Sequence, residues 1–481
     1  MGGVLFALGP IVMIFGLTML IPLGLAFVAQ DAALPAYDDS VALTFAAGSA
    51  LWLLARPFKR DLKIRDGFLL VVLVWTLLPM FATLPLLLYL DISFTDAYFE
   101  TMSGMTTTGA TVLSGLDALP PSINLWRHLL NWLGGMGIIV LAVAILPLLG
   151  VGGRSMYKAE TPGPMKDSKL TPRIAQTAKA LWLVYAGITL LCVVFLKLAG
   201  MGWLDAVCHA FSALSLGGFS THDASVGFFD SVPIEVVLSI FQVIAAGNFA
   251  TYFIMLRGRS LRPYLADTEM HAMLGLLMAS ILGVAYYLWH VGTYAAFSTA
   301  LRHVSFNLIT IATDCGFAST DFGRWPLFAP MWMLFLSSIL ACSGSTGGGI
   351  KMVRTLILAK QAVRELARLL HPSAIVPVRL GAMVVGGNVV FAVLAFVFLY
   401  FMTVATLTFM LLASGLDFIS AFTAVIACIN NAGPGLGLVG PASNYGVLTD
   451  FQTWVCTIAM LAGRLELFTL FVVLTPAFWR R

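Results

Sequence analysis

From Val4 to the C-terminus, stretches of about 20 apolar residues follow one another with few charges to interrupt them, the length a helix needs to cross a bilayer core of about 30 Å. Charged residues make up 10% of the 481 positions and apolar residues 59%, whereas a soluble domain carries roughly 25% charged residues. Most of the chain must therefore face lipid or other spans. The first run is longer than a signal-peptide core, is followed by a second span and shows no small-residue cleavage site, so it reads as a retained helix. The net charge of +4 does not point to nucleic acid, because its distribution has a topological explanation. Six cysteines (Cys192, Cys208, Cys315, Cys342, Cys428 and Cys456) fall in apolar or re-entrant segments without a CxxC pair, which indicates neither zinc nor a disulfide framework.

The spans predict ten membrane-crossing helices and four shorter re-entrant segments. Two helices open the chain, at roughly 3–28 and 41–58. A pattern then repeats four times: a long apolar helix, an acidic residue, a half-length helix, a glycine-containing loop and a second long helix. The first helices are expected near 67–90, 176–199, 271–293 and 380–412. The second are expected near 126–150, 232–256, 326–368 (interrupted) and 450–478. This divides the chain into 1–65, two N-terminal helices, and the repeats 66–155, 156–262, 263–370 and 371–481. The expected fold is an all-α membrane protein with four helix–half-helix–helix repeats around a central pore.

Basic residues test that topology. Arg56, Lys59, Arg60, Lys63 and Arg65 form one group, and Arg154, Lys158, Lys166, Lys169, Arg173 and Lys179 another. Arg257, Arg259 and Arg262 follow, then Lys351, Arg354, Lys360, Arg364, Arg368 and Arg379, and last Arg480 and Arg481. Together they are 22 of the 27 Lys and Arg, all on one side if each long helix crosses once. The positive-inside rule makes that side the cytoplasm, with both termini cytoplasmic and the four half-helices entering from outside.

The four loops carry the chemistry. They run DAYFETMSGMTTTGATVL from Asp96, DAVCHAFSALSLGGFSTHD from Asp205, RHVSFNLITIATDCGFASTD from Arg302 and DFISAFTAVIACINNAGPGLG from Asp417. Each combines a half-helix of about a dozen residues with a glycine: Gly109, Gly218, Gly316 and Gly433. Asp96, Asp205 and Asp417 suit helix N-caps; Arg302 breaks the pattern. Non-helical backbone at membrane depth must line a watery path or be buried in protein. Four loops converging on one axis can present a ring of carbonyl oxygens that replaces a cation's hydration shell, helped by the negative ends of four half-helices.

With these loops in view, the chain resembles the bacterial potassium-uptake subunits of the TrkH/TrkG/KtrB superfamily, and its two extra N-terminal helices resemble the TrkH type. The resemblance covers nearly the whole chain and rests on TTTGAT, LGGFSTHD, GSTGGGIK, NNAGPGLG and GRLELFTLFVVLTPAFW. It implies potassium uptake across the bacterial inner membrane, a homodimer with one pore per subunit, and a cytoplasmic TrkA-like regulatory subunit. No cofactor is expected on this chain; a nucleotide, NAD or ATP, is implied only on that partner, and potassium is the substrate. Position by position, the resemblance places the potassium-binding residues at Thr107, Thr108 and Gly109; Leu216, Gly217 and Gly218; Asp314, Cys315 and Gly316; and Asn431, Ala432 and Gly433. Asp314 departs from the family pattern, which has an uncharged small residue there. Its carboxylate either faces the axis, raising cation occupancy or admitting sodium, or turns away and accepts hydrogen bonds behind the filter.

Within the second helix of the third repeat lies CSGSTGGGIK. Gly344, Ser345, Thr346, Gly347, Gly348 and Gly349 cannot hold a straight lipid-exposed helix, so the stretch is expected to be a buried loop that plugs the inner pore, leading into Lys351. It is not a Walker loop: Ile350 follows Gly349 where a Lys is needed, and no soluble strand precedes it. Arg464 lies in an apolar helix, where a charge faces a cavity or a partner. Glu466 is one candidate partner; the resemblance instead places Arg464 under the filter as an electrostatic barrier. His209, His222 and Asp223 show no metal-ligand spacing and suit packing or surface roles. The spans hold no Ser/His pair, paired Asp or metal cluster, which argues against an enzyme. The alternatives are a secondary transporter of another solute, against which four half-helices entering from one side argue, and a less selective sodium/potassium channel.

Overall fold

The computed structural model describes residues 2–60, 62–140, 174–381 and 383–480. Arg154, Lys158, Lys166, Lys169, Arg173 and Arg481, the expected boundary at 155/156 and the end of the first repeat's second helix lie outside the described residues.

Among the described residues the chain is helical except for loops, short turns and one antiparallel two-residue pairing of Arg379–Leu380 with Met383–Val384. That hairpin corrects the expected start of the fourth repeat's first helix at 380: Gly381 turns the chain at φ +55°, and the helix begins at Gly387 and runs to Ala413. At the N-terminus, Gly2–Thr18 and Leu20–Ala29 pack on Leu34–Ala55. Gly9 and Gly48 face each other at the crossing. A Cβ on Gly9 would lie 2.9 Å from the carbonyl oxygen of Gly48, and one on Gly48 3.0 Å from that of Gly9. Small residues of this kind let helix backbones approach closely in membranes.

The first helices of the repeats are Ile64–Ala82 continued by Leu84–Tyr89, Ile174–Leu198, Thr268–His290 and Gly387–Ala413. Pro79 and Pro85 flank the break in the first of them, as the missing N–H and ring clash of proline require. The half-helices are Phe94–Met105, Trp203–Ser215, Phe297–Ala312 and Phe418–Asn430. Asp417 caps its half-helix by accepting from Ser420 N at 3.0 Å, but the other two expected caps differ. Ser93 caps the first, accepting from Asp96 N at 3.0 Å, and Gly202 begins the second, so Asp96 and Asp205 sit in the first turn instead. They still lie at the positive end of the helix dipole. The third half-helix has 16 residues against 12 and 13 in the others. Its extra turn puts Arg302 inside the helix, paired with Glu235 at 2.7 Å and Asp230 at 2.8 Å.

The second helices depart most from expectation. Only the third was read as interrupted, yet the structure also bends the second by 93° between Val232–Ala246 and Phe249–Gly258, and the fourth by 112° between Asp450–Arg464 and Phe468–Leu474. At the first bend Asn248 caps the new helix, accepting from Ala250 N at 2.9 Å. At the second, Glu466 and Leu467 are both left-handed, at φ +52°. Six helices among the described residues are long and apolar enough to cross a bilayer alone, or eight if each bent pair is one span. The other two of the ten expected are Pro121–Val140, described no further than Val140, and the third repeat's pair Phe328–Ile339 and Met352–Leu370, separated by the glycine-rich loop.

Candidate functional site: a ring of four loops

All four half-helices end in the same way. Thr107, Leu216, Asp314 and Asn431 are left-handed, at φ +54°, +54°, +69° and +59°, and two residues on come Gly109, Gly218, Gly316 and Gly433 at φ +80°, +67°, +91° and +86°. The residue between donates its N–H five positions back across the helix end: Thr108 N to Ser103 O, Gly217 N to Ser212 O, Cys315 N to Thr310 O and Ala432 N to Ala427 O, each at 2.8 Å. This is the Schellman arrangement of a helix C-terminus, and four sequences as unlike as TTG, LGG, DCG and NAG adopt it at one register.

The loops then close into a ring. A Cβ on Gly109 would meet the carbonyl oxygen of Gly217, one on Gly218 that of Cys315, one on Gly316 that of Ala432 and one on Gly433 that of Thr108, all within 3.0 Å. Each glycine is therefore needed twice, for its positive φ and for the neighbouring loop's oxygen. The four oxygens belong to the residues between the left-handed pair. Every expected filter residue lies in this one ring. A ring of backbone oxygens at the negative ends of four helices can hold a desolvated cation. Outside it opens a cavity lined by Gly109, Gly218, Gly316, Pro434, Arg127 and Tyr445.

Charged residues that sequence reasoning missed brace the ring. Glu100, in the first half-helix, and Arg127, in Pro121–Val140, are each 1% exposed and pair at 2.8 Å. Glu100 also accepts from Thr111 Oγ1 and Val112 N, just past Gly109. Arg127 donates to Ser220 O in the second loop and lies over the Phe219 ring, 4.4 Å from its centroid. The pair thus ties the first loop to the second. A signal was present: an acid in the middle of a buried half-helix and a base in the following apolar helix each require a partner. Asn431 ties the fourth loop to the first, donating from Nδ2 to Thr108 Oγ1 at 2.9 Å. Tyr445 donates from its hydroxyl to Gly433 O at 2.9 Å and from its N–H to Thr111 O at 2.8 Å.

The glycine-rich loop lies against the helix side of the ring. Thr346 Oγ1 donates to Leu214 O at 3.2 Å and Gly348 N to Asp314 Oδ2 at 3.0 Å, and Gly348 packs against Asn430 O. The loop thereby touches the ends of the second, third and fourth half-helices. Its start fills the bend of the second repeat: Cys342 N donates to Ala246 O at 3.0 Å and Phe249 N to Gly344 O at 3.2 Å. These bonds satisfy the backbone groups freed by that bend. Glu269 holds both shoulders, its Oε1 accepting from Ser343 N at 2.7 Å and Val353 N at 3.1 Å.

Arg464, 1% exposed, donates from Nη1 to Thr346 O at 2.9 Å and from Nη2 to Gly134 O at 2.8 Å. Glu466 pairs instead with Arg354 at 2.8 Å and Lys351 at 3.8 Å. The Asp314 carboxylate accepts from Gly348 N of the glycine-rich loop. His209 is buried between Asp205 O at 2.8 Å and Ser220 Oγ at 2.9 Å. His222 is hydrogen-bonded to Asp117, which holds that exposed carboxyl below the usual carboxylate range, and stacks on Phe228 with ring centroids 3.6 Å apart. All six cysteines are buried thiols.

The chain resembles proteins of known name over its full length. It is 45% identical over 474 residues to the Trk system potassium uptake protein TrkH of Salmonella typhimurium, covering 98% of both chains. It is 39% identical over 476 residues to the Trk system potassium uptake protein TrkG of Escherichia coli, covering 98% of this chain and 97% of that one. The crystal structure of the potassium transporter TrkH from Vibrio parahaemolyticus superposes with a TM-score of 0.92 at 42% identity, covering 100% of this chain and 99% of that one. Residues 35–480 match the family model TrkH, described as a cation transport protein. With several apolar spanning helices and this kinship, the chain is a multi-pass membrane protein that belongs to the TrkH family of cation transport proteins.

Proposed function

We propose that this chain takes up potassium across the bacterial inner membrane through the ring of four loops, as the names of its relatives suggest. The observation that carries the reading is the closed sequence of carbonyl-on-glycine contacts, Gly109 to Gly217, Gly218 to Cys315, Gly316 to Ala432 and Gly433 to Thr108. The oxygens and helix ends of that ring favour a cation without its water. Both termini are cytoplasmic in this reading, on the strength of the basic segments, and the half-helices enter from outside.

The loop Gly344–Gly349 with Lys351 and Arg464 is the gate. A cation leaving the ring inward meets a hydrogen-bonded plug and then a fixed positive charge. At an effective dielectric near 20, two like charges 4 Å apart repel by about 4 kcal/mol, enough to slow passage roughly a thousandfold. Opening withdraws the loop, driven by a cytoplasmic regulatory subunit that carries the nucleotide and acts on a homodimer. The chain itself is a transport protein.

Rubidium uptake into proteoliposomes tests the transport reading: a potassium path takes up the tracer, and a transporter of another solute does not. Deleting Gly347–Gly349, or replacing Arg464 by Ala, should give flux without the partner. If both variants fold and stay closed, the gate lies elsewhere.

A further inference from the structure

Asp314 sets the third loop apart. At the left-handed position the other three carry uncharged Thr107, Leu216 and Asn431, and the repeat with the carboxylate is also the repeat that supplies the plug. Asp314 is fully buried. Its Oδ2 accepts from Gly348 N at 3.0 Å, and its Oδ1 has no hydrogen-bond partner. Two residues back in the plug, Thr346 O accepts from Arg464 Nη1 at 2.9 Å, while Arg464 Nε is buried and has no hydrogen-bond partner. The two side chains therefore grip the same three-residue stretch of loop backbone, Thr346 to Gly348. The plug's backbone thus supplies a hydrogen bond to each of two opposite charges that do not bond each other.

We propose that Asp314 becomes the partner of Arg464 when the plug withdraws. Withdrawal removes the N–H from the carboxylate and the carbonyl from the guanidinium at the same moment. Each buried group then lacks the hydrogen bond the loop had supplied, Arg464 keeping only the one to Gly134 O, and charge-assisted pairing is the strongest interaction open to either. The pair cancels the positive charge that a cation would meet below the ring. Asp314 is thereby a positioning residue for conduction: it holds the plug in the closed state and neutralises the barrier in the open one. The other three loops need no carboxylate, because none of them faces the plug through such a pair.

This inference rests on the gate proposed above, and the test separates the two. Single-channel currents are recorded in planar bilayers from the full chain lacking Gly347–Gly349, with potassium on both sides. Asp314→Asn in that background keeps the side chain's size and loses its charge, so the open-state current should fall at least about tenfold as Arg464 is unmasked. Adding Arg464→Ala should return it to within about twofold, and Asp314→Glu, which keeps the charge, should lose less current than Asp314→Asn. A role in packing alone predicts the opposite order, with the longer Glu more damaging than Asn. Asp314→Ser takes the place of Asn if the amide does not fold. An unchanged current in Asp314→Asn, or a fall that persists without Arg464, overturns the pairing while leaving the gate intact. A shortened loop that stays closed overturns the gate and the pairing together.

Discussion

The carbonyl oxygen of Cys315 occupies the space in which a side chain on Gly218 would begin. Gly218 is also at φ +67°, where a Cβ costs about 1–2 kcal/mol. A methyl group there must push the third loop away from the second and open the ring. Gly218→Ala should cut rubidium uptake at least about tenfold, or keep uptake and lose discrimination against sodium. Gly387→Ala, at a site with no atom within 4 Å, should do neither. Parent-like uptake and selectivity in the Ala or Ser variants of all four ring glycines would count against the filter.

Glu269 bonds the backbone on both sides of the glycine-rich loop. Its Oε1 serves both Ser343 N and Val353 N, and a buried N–H left without an acceptor costs about 1–3 kcal/mol. Glu269→Ala should raise partner-independent potassium leak about tenfold or more, with Glu269→Gln, which keeps an acceptor, closer to the parent. Efflux from potassium-loaded proteoliposomes reads the difference. No change in leak would mean that the shoulders are held by other contacts.

The pair Glu100–Arg127 should matter more through its loss than through its presence. Removing one partner of a buried ion pair costs about 3–5 kcal/mol because the other charge is left uncompensated, whereas replacing both is often near neutral. Glu100→Gln should therefore lower the melting temperature in detergent by more than the double variant Glu100→Gln/Arg127→Met. The double variant should still disturb selectivity, since the bridge to Ser220 is gone. Equal melting temperatures for the single and double variants would contradict this account.

Gly48→Val tests the N-terminal helix pair. The added branch meets the backbone of Met13 and Gly9, and overpacking of this kind costs about 1–3 kcal/mol. The melting temperature should drop while the single-channel current stays at the parent value, since the pair is remote from the ring. A changed current would place these helices in the transport path.

Much of this architecture is legible in the sequence because two simple rules write it there. Span length gives the helices, and a glycine recurring at one place in each repeat gives the four loops; Thr107, Leu216, Asp314 and Asn431, two residues before it, come from the family resemblance instead. The bends at Gly247 and at Glu466–Leu467 are not legible, because no proline marks either one and, at Gly247, the glycine-rich loop that bonds the freed backbone lies far off in sequence. The caps at Ser93 and Gly202 were hidden by aspartates three residues further on, which suit either place. Glu100 and Arg127 lie 27 residues apart, and nothing in the spacing says that they meet. The two readings of Asp314 differ in which way one side chain turns, and its geometry depends on Gly348, which belongs to another part of the repeat.

Because one polypeptide supplies all four quadrants of the ring, its symmetry is one of backbone only. A channel assembled from identical subunits changes four equivalent positions with every substitution. Here a single codon alters one quadrant and leaves three as internal references. The consequence reaches the proposed gate: if the glycine-rich loop of this one quadrant is the plug, opening is a single displacement rather than a concerted motion of four, and it needs no agreement among neighbours.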